Sequence, residues 1–243
     1  MIILNLFSFT FAIALKKNQT IMRKLWWKIV AVVLLVTTIV VGLLIPVPAL
    51  DILNETIRNL FFHVPMWFGM MIFFSISLFH AIKYLSSQNL KSDVNSEQYA
   101  KVGILFGSLG MVTGMEWARF TWGEFWSNDP KQLAAGISLL IYFAYLVLRN
   151  SIPDYDKKAK VSAVFNTFAY FIMIPLIMIL PRLTESLHPG NGGNPAFGEL
   201  APALRPWFYM SVVAWMMIGI WIATLGIRLK LISLKDVIGY QKA

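Results

Sequence analysis

The 243-residue chain is 58% hydrophobic and only 14% charged, and it carries a formal net charge of +9. Soluble globular domains do not reach that ratio, so the composition specifies an integral membrane protein. Cysteine is absent, which excludes disulfides and thiolate metal sites.

Residues 1–15 are apolar and then meet Lys16 and Lys17. No positive charge precedes them and no small-residue cleavage pattern follows, so they do not read as a secretory signal. A second start-like stretch, Met22-Arg-Lys-Leu-Trp-Trp-Lys, leads directly into the first long apolar segment. A crossing helix needs about 20 mostly apolar residues, because 1.5 Å of rise per residue must cover roughly 30 Å of hydrocarbon. Six stretches meet this expectation, at residues 26–45, 60–84, 101–117, 133–148, 161–180 and 207–227, of which the third and fourth are short. Gly103, Gly107, Gly110 and Gly114 place small residues along the third span, a face that reads as close helix packing rather than chemistry. Pro175 predicts a kink in the fifth span, with its freed carbonyl satisfied by neighbours.

Alternate connections carry unequal charge. The termini, the second connection and the fourth hold sixteen Lys and Arg, whereas the opposite side holds five: Arg58, Arg119, Lys131, Arg182 and Arg205. The positive-inside rule then places both termini in the cytoplasm. It also accounts for the net charge without a nucleic-acid partner, since no basic stripe interleaves with a soluble fold.

On the outward side the connection 117–132 reads Trp-Ala-Arg-Phe-Thr-Trp-Gly-Glu-Phe-Trp-Ser-Asn-Asp-Pro-Lys-Gln. Trp and Tyr commonly anchor helix ends at headgroup depth. Here Trp117, Trp122 and Trp126 are concentrated in one stretch with Gly123 and Pro130, which equally suits a platform for a flat, amphipathic ligand. Both readings stand on composition alone.

Two of the three histidines fall on the same outward side, His63 in Phe-Phe-His-Val-Pro-Met-Trp and His188 in Glu-Ser-Leu-His-Pro-Gly. His80, near the cytoplasmic end of the second span, reads as an ordinary helix-end residue. Pro65 suits the first turn of a helix, which puts His63 at the positive end of the helix dipole, where a neutral ring is favoured. Either histidine alone suits a plain interfacial role. As a pair flanking an aromatic stretch, they suit the two axial positions of a haem, with rings covering the macrocycle. Arg119, Lys131, Arg182 and Arg205 are the outward cations for its propionates, and each is equally explicable as a lipid headgroup contact.

The run Thr113-Gly-Met-Glu-Trp-Ala-Arg-Phe-Thr-Trp-Gly-Glu-Phe-Trp-Ser-Asn-Asp-Pro-Lys resembles the tryptophan-rich signature of the haem-handling proteins of cytochrome c maturation. With the upstream His-Val-Pro and the downstream Ser-Leu-His-Pro-Gly, the chain is similar in particular to the CcmC family, over all six spans. The resemblance implies an all-α, six-helix polytopic membrane protein with an outward-facing tryptophan-rich loop, in a bacterial inner membrane. It implies transient binding of haem b, non-covalent because the chain lacks the cysteines of a c-type attachment site. It further implies delivery to a CcmE-like haem chaperone beside CcmA, CcmB and CcmD-like proteins. By the same resemblance His63 and His188 are the axial ligands, and Trp117, Trp122, Gly123, Trp126 and Asp129 belong to the haem platform. Two positions depart from the pattern: Asn128 and Phe125 stand where the family usually has Trp. Losing one stacking face costs about 1 kcal/mol beyond lost burial, so the departures bear on platform geometry rather than on haem binding itself.

Other readings are distinguishable. The Asp-Pro-Lys ending also resembles the CcsA branch, a cytochrome c synthase component, which usually carries further spans and a further histidine pair. A b-type cytochrome subunit would clamp haem with mid-span histidines on facing helices, and no such pair is present. A solute permease would carry buried ionisable residues in its span centres, which hold almost none; Glu116 lies near a helix end within reach of Arg119. No hydrolytic triad or phosphate-cradling loop is visible, and the Gly190-Asn-Gly-Gly-Asn-Pro-Ala-Phe run reads as turns that shape a loop. The chain is therefore expected to bind and transfer rather than catalyse.

The expected organisation is an N-terminal extension (1–25), a six-span domain (26–230) and a cytoplasmic tail (231–243). The first 21 residues are expected to be dispensable. N-terminal sequencing of the natural protein checks this: a mature chain beginning at Met22 supports the second start, and one beginning at Met1 excludes it.

Overall fold

The computed structural model describes residues 25–48, 52–188 and 200–241. The expected extension and the Gly190 turn run lie outside them. Six long helices follow in order: α1 Leu25–Leu44, α2 His63–Ser87, α3 Leu90–Trp122, α4 Pro130–Ser151, α5 Tyr155–Ile174 and α6 Arg205–Gln241. A 3-10 segment, Asn54–Phe61, leads into α2. No strand occurs among the described residues, and the all-α, multi-pass membrane architecture expected from composition holds. Five segments, containing α1, α2, α4, α5 and α6, are long and apolar enough to cross a membrane.

The third element departs most from its expected bounds. Residues 101–117 were the apolar part only; α3 is 33 residues long, or about 50 Å at 1.5 Å per residue. Its start is set by Asn89, whose side chain accepts the Lys91 N–H. Its end is set by Gly123, which takes the left-handed conformation at φ 87. Nothing between them breaks a helix, so Trp117, Arg119 and Trp122 are helical, and only residues 123–129 form the connection. Asp129 and Asp154 cap α4 and α5 in the same way as Asn89 caps α3.

Small residues let α3 lie against α2 along its length. A Cβ added to Gly103 would come within 2.5 Å of Phe74, one on Gly107 within 2.6 Å of Leu139 and 2.7 Å of Met70, and one on Gly110 within 3.1 Å of Trp67. The core around this contact includes Phe73, Phe106 and a stacked Phe74–Tyr142 pair 3.5 Å apart. Large apolar side chains such as Val33, Leu44, Leu140, Val147 and Phe168 point outward, as a lipid-facing surface requires. Where the sequence predicts a kink at Pro175, the regular α-helix ends at Ile174 and the chain continues as a π turn, Pro175–Ile179, and a 3-10 turn, Leu180–Arg182.

At the end of the bundle away from His63 lies a buried ion cluster that the sequence reading missed. Arg149 on α4 forks onto Asp93 of α3 at 2.8 and 2.6 Å and also reaches Glu97 at 3.0 Å. Tyr155 of α5 donates to Asp93 at 2.8 Å, and Lys101 to Glu97 at 2.6 Å. Arg149 and Asp93 are each 2% exposed. Deeper in the bundle Asn166 of α5 donates to Ser77 of α2 and Ser96 of α3. Removing one partner of a buried, paired set leaves an uncompensated charge, at a cost of about 3–5 kcal/mol. Arg149→Ala is therefore expected to lower the heat- or denaturant-unfolding midpoint in detergent sharply, and Arg149→Lys, which lacks the fork, to recover only part of it.

Candidate functional site

His63 is the first residue of α2, with Pro65 in its first turn. The ring is buried, 8% exposed, and sits on α3 where a Cβ on Gly114 would be 2.5 Å from His63 Cε1. Its Nδ1 lies 3.0 Å from the Gly110 carbonyl and 3.2 Å from Thr113 Oγ1. A carbonyl only accepts, so Nδ1 carries the proton and Nε2 carries the lone pair. Trp67 Nε1 donates to that Nε2 at 3.1 Å. Trp67 and Trp117 both meet the ring edge-on, at centroid distances of 6.0 and 5.7 Å.

Trp117 is itself fixed by donating to Thr56 Oγ1 at 3.0 Å, and Asn59 ties the same 3-10 segment to α3 by donating to the Thr113 carbonyl. The glycine stripe is thus packing, as expected, along most of its length. At Gly110 and Gly114 it also shapes the surroundings of a histidine, which the reading of packing rather than chemistry did not foresee.

His188 is held by Asp129. The Asp129 carboxylate, 4% exposed, accepts from Lys131 N at 2.9 Å, Leu187 N at 2.7 Å, Ser186 Oγ at 2.9 Å and His188 Nδ1 at 2.8 Å. Burial opposes ionisation of Asp129, but these donors win and hold its pKa below the ordinary carboxylate value. For His188, burial lowers the pKa, and Lys131 lowers it further against the pull of Asp129. The ring is therefore neutral at pH 7, donates its Nδ1–H to the carboxylate and carries its lone pair on Nε2. Trp122 meets this ring edge-on at 4.7 Å. The last turns of α3 thus carry one tryptophan to each histidine.

The other expected site residues have different local duties. Trp126 packs on Gly136 of α4 and donates to Asn128 Oδ1 at 2.9 Å. Asn128 has φ 55, a left-handed conformation that Asn tolerates and a bulky aromatic side chain resists. Gly123 serves the backbone as the α3 cap, since no atom lies within 4 Å of an added Cβ. Arg119 turns back to its own chain, donating to the Gly123 carbonyl and lying 5.9 Å from the Phe125 ring. Arg182 donates to the Met178 carbonyl and Arg205 to the Leu200 carbonyl at 2.8 Å. Lys131 is the cation whose charge reaches His188.

Gln132 was given no role from sequence, yet its Oε1 accepts from Ser127 N and Oγ and its Nε2 donates to the Phe125 carbonyl, fastening the connection to α4. Trp67 was quoted only as part of a motif. Its spacing four residues after His63 was the available signal.

The chain is a multi-pass membrane helical bundle that brings two imidazoles to one end, each with Nδ1 satisfied inside the protein and a tryptophan edge-on. The chain belongs to the CcmC family: the family described as "Heme exporter protein C" matches residues 9–238. Heme exporter protein C of Bradyrhizobium diazoefficiens is 28% identical over 136 residues, covering 56% of this chain and 51% of that protein. The Paracoccus denitrificans protein of the same name is 23% identical over 166 residues, 68% and 69% of the two chains. A Cytochrome c biogenesis protein CcsA of Prochlorococcus marinus is 38% identical over 96 residues, 40% of this chain and 30% of that one. The alignments thus span about half of the Bradyrhizobium protein and less than a third of the CcsA protein.

Asp129→Asn keeps the side-chain shape and removes the charge. Charge-assisted hydrogen bonds are roughly twice as strong as neutral ones, a difference of about 1 kcal/mol. Amide hydrogen exchange at Leu187 is therefore expected to quicken about fivefold, while exchange in the centre of α5 stays unchanged.

Proposed function

We propose that this chain handles haem during cytochrome c biogenesis. Nε2 of His63 and Nε2 of His188 hold the iron, and Trp117 and Trp122 flank the bound ring system. The single observation that carries this reading is the matching tautomer of the two imidazoles, each anchored at Nδ1, which leaves a metal-ligating nitrogen on both. The names of the relatives, Heme exporter protein C and Cytochrome c biogenesis protein CcsA, support the same chemistry.

The haem is haem b, bound non-covalently and transiently, because the chain has no cysteine to attach it. Asp129 acts through His188 as its positioning residue and belongs to the site in that capacity rather than as a stacking wall. Lys131, whose charge acts on His188, is a candidate partner for a propionate together with Arg119, Arg182 and Arg205. Gly123 and Trp126 shape the connection that bears Asp129.

The membrane is a bacterial inner membrane, with the histidine end outward and both termini cytoplasmic, an orientation that the lysine and arginine bias supports. The recipient is a CcmE-like chaperone, and the neighbours are CcmA, CcmB and CcmD-like proteins. The chain contributes binding and transfer rather than bond-making catalysis. CcsA-type ligation is the second reading, favoured by the local identity to the Prochlorococcus protein. Stable co-purification with a large synthase partner would establish it.

The test is the absorption spectrum of the protein purified in detergent and supplied with haemin. A low-spin, bis-imidazole spectrum is expected, altered in His63→Ala and in His188→Ala. Asp129→Ala is expected to bind haemin roughly 10- to 100-fold more weakly, as loss of a partner behind a ligating histidine does. Wild-type spectra in both histidine variants would sink the ligand assignment.

A further inference from the structure

The two histidines are built alike at Nδ1 and differently at Nε2. On α2 the indole of Trp67, one turn after His63, donates its N–H to His63 Nε2 at 3.1 Å, so the lone pair that would ligate iron already has a partner. The contact is supported by the surrounding structure. Gly110 seats the Trp67 indole, since a Cβ there would be 3.1 Å from its Cε2, and the carbonyl of the same residue accepts a hydrogen bond from His63 Nδ1–H. One glycine therefore sets both rings, and the two meet edge-on at an interplanar angle of 80°. His188 instead has an anionic carboxylate behind it, which strengthens Nε2 as a donor to a metal, whereas a neutral carbonyl behind His63 does so less.

We propose that Trp67 is a positioning residue that competes with haem iron for Nε2 of His63, making the His63 bond the releasable one of the two. This rests on the haem-ligand reading above. In the exchange the Trp67 N–H···Nε2 hydrogen bond would break as Nε2 takes a position on the iron and displaces the solvent water held there, and on release water would take that position back. No proton or electron moves: the indole keeps its proton, and Nδ1 of His63 keeps its own. The competing bond is worth a factor of about three to ten, the equilibrium value of one ordinary hydrogen bond. It therefore tunes the lifetime of the complex without preventing binding.

The test uses the full chain in detergent with haemin as the probe. Trp67→Phe keeps an aromatic ring on Gly110 and removes only the donor. Haemin affinity is expected to rise, and transfer of haemin to apomyoglobin to slow, by about three- to tenfold. The low-spin fraction seen by electron paramagnetic resonance should rise in parallel. In a His63→Ala background the same substitution should change nothing, which separates competition for the lone pair from a general packing effect. Nuclear magnetic resonance of the Trp67 indole N–H in the unsubstituted protein supplies a readout that needs no variant: its hydrogen-bonded shift should be lost when haemin is added.

Weaker haemin binding in Trp67→Phe would overturn the proposal and make Trp67 a wall of the site. Equal affinity and transfer rate in Trp67→Phe and wild type, with both histidine variants impaired, would overturn the competition and leave the ligand assignment standing. Histidine variants indistinguishable from wild type would overturn the ligand assignment, and the competition with it.

Discussion

The line of glycines on α3 is the constraint from which the rest of the site end follows. In a lipid environment helices gain nothing from hiding apolar surface from one another, so association depends on close packing and hydrogen bonds. Gly103, Gly107, Gly110 and Gly114 remove the side chains that would hold α2 away, and residues 74, 70, 67 and 63 of α2 fill the space in reverse order. The same register that packs Phe74 and Met70 in the middle of the bundle delivers Trp67 and His63 at its end. A methyl group at Gly114 would strike the His63 ring itself, so the histidine's position is a consequence of helix packing rather than of a loop.

The second histidine is placed by an opposite strategy. His188 follows the irregular end of α5, where the backbone passes through a π turn and a 3-10 turn, and no helix orients it. Asp129 takes over that role by serving as the N-cap of α4 and the acceptor for residues 186–188 together. A cap residue is held by its own helix, so the helix start becomes a fixed post to which a chain segment nearly sixty residues away is tied. One imidazole is thus fixed by rigid helix–helix contact and the other by a charge-assisted anchor.

The helices were legible because their signal is the mean hydropathy of a window, a property that survives any arrangement of neighbours. The caps at Asn89, Asp129 and Asp154 were legible in principle, because each is a short-range chemical motif. The extent of α3 was misread because charged residues near both ends, Lys91, Asp93, Glu97 and Lys101 at one and Glu116 and Arg119 at the other, resemble boundaries when only hydropathy is consulted. The Asp93–Arg149 pairing spans 56 positions and the Asp129–His188 pairing spans 59, and nothing local announces either. The same holds for the dual role of Gly110. Its neighbours in sequence predict a close helix contact, but only the facing residues of α2 say that the contact is made by an indole and an imidazole.

The two ends of the bundle are also stabilised differently. At the end away from His63, Arg149 binds α3 to α4 through a buried fork and Tyr155 brings α5 into the same cluster, so three helices are fixed by groups that are costly to separate. At the histidine end the connections are a seven-residue link between α3 and α4 and the π and 3-10 turns after α5. Residues 123–128 are held by hydrogen bonds such as Trp126 to Asn128 and Ser127 to Gln132, each worth only about 1 kcal/mol net, whereas residues 186–188 share the Asp129 anchor. Local opening draws on the weakest contacts first. The 123–128 connection is therefore expected to open locally before the anchored segment 186–188 and before the helix register that places His63.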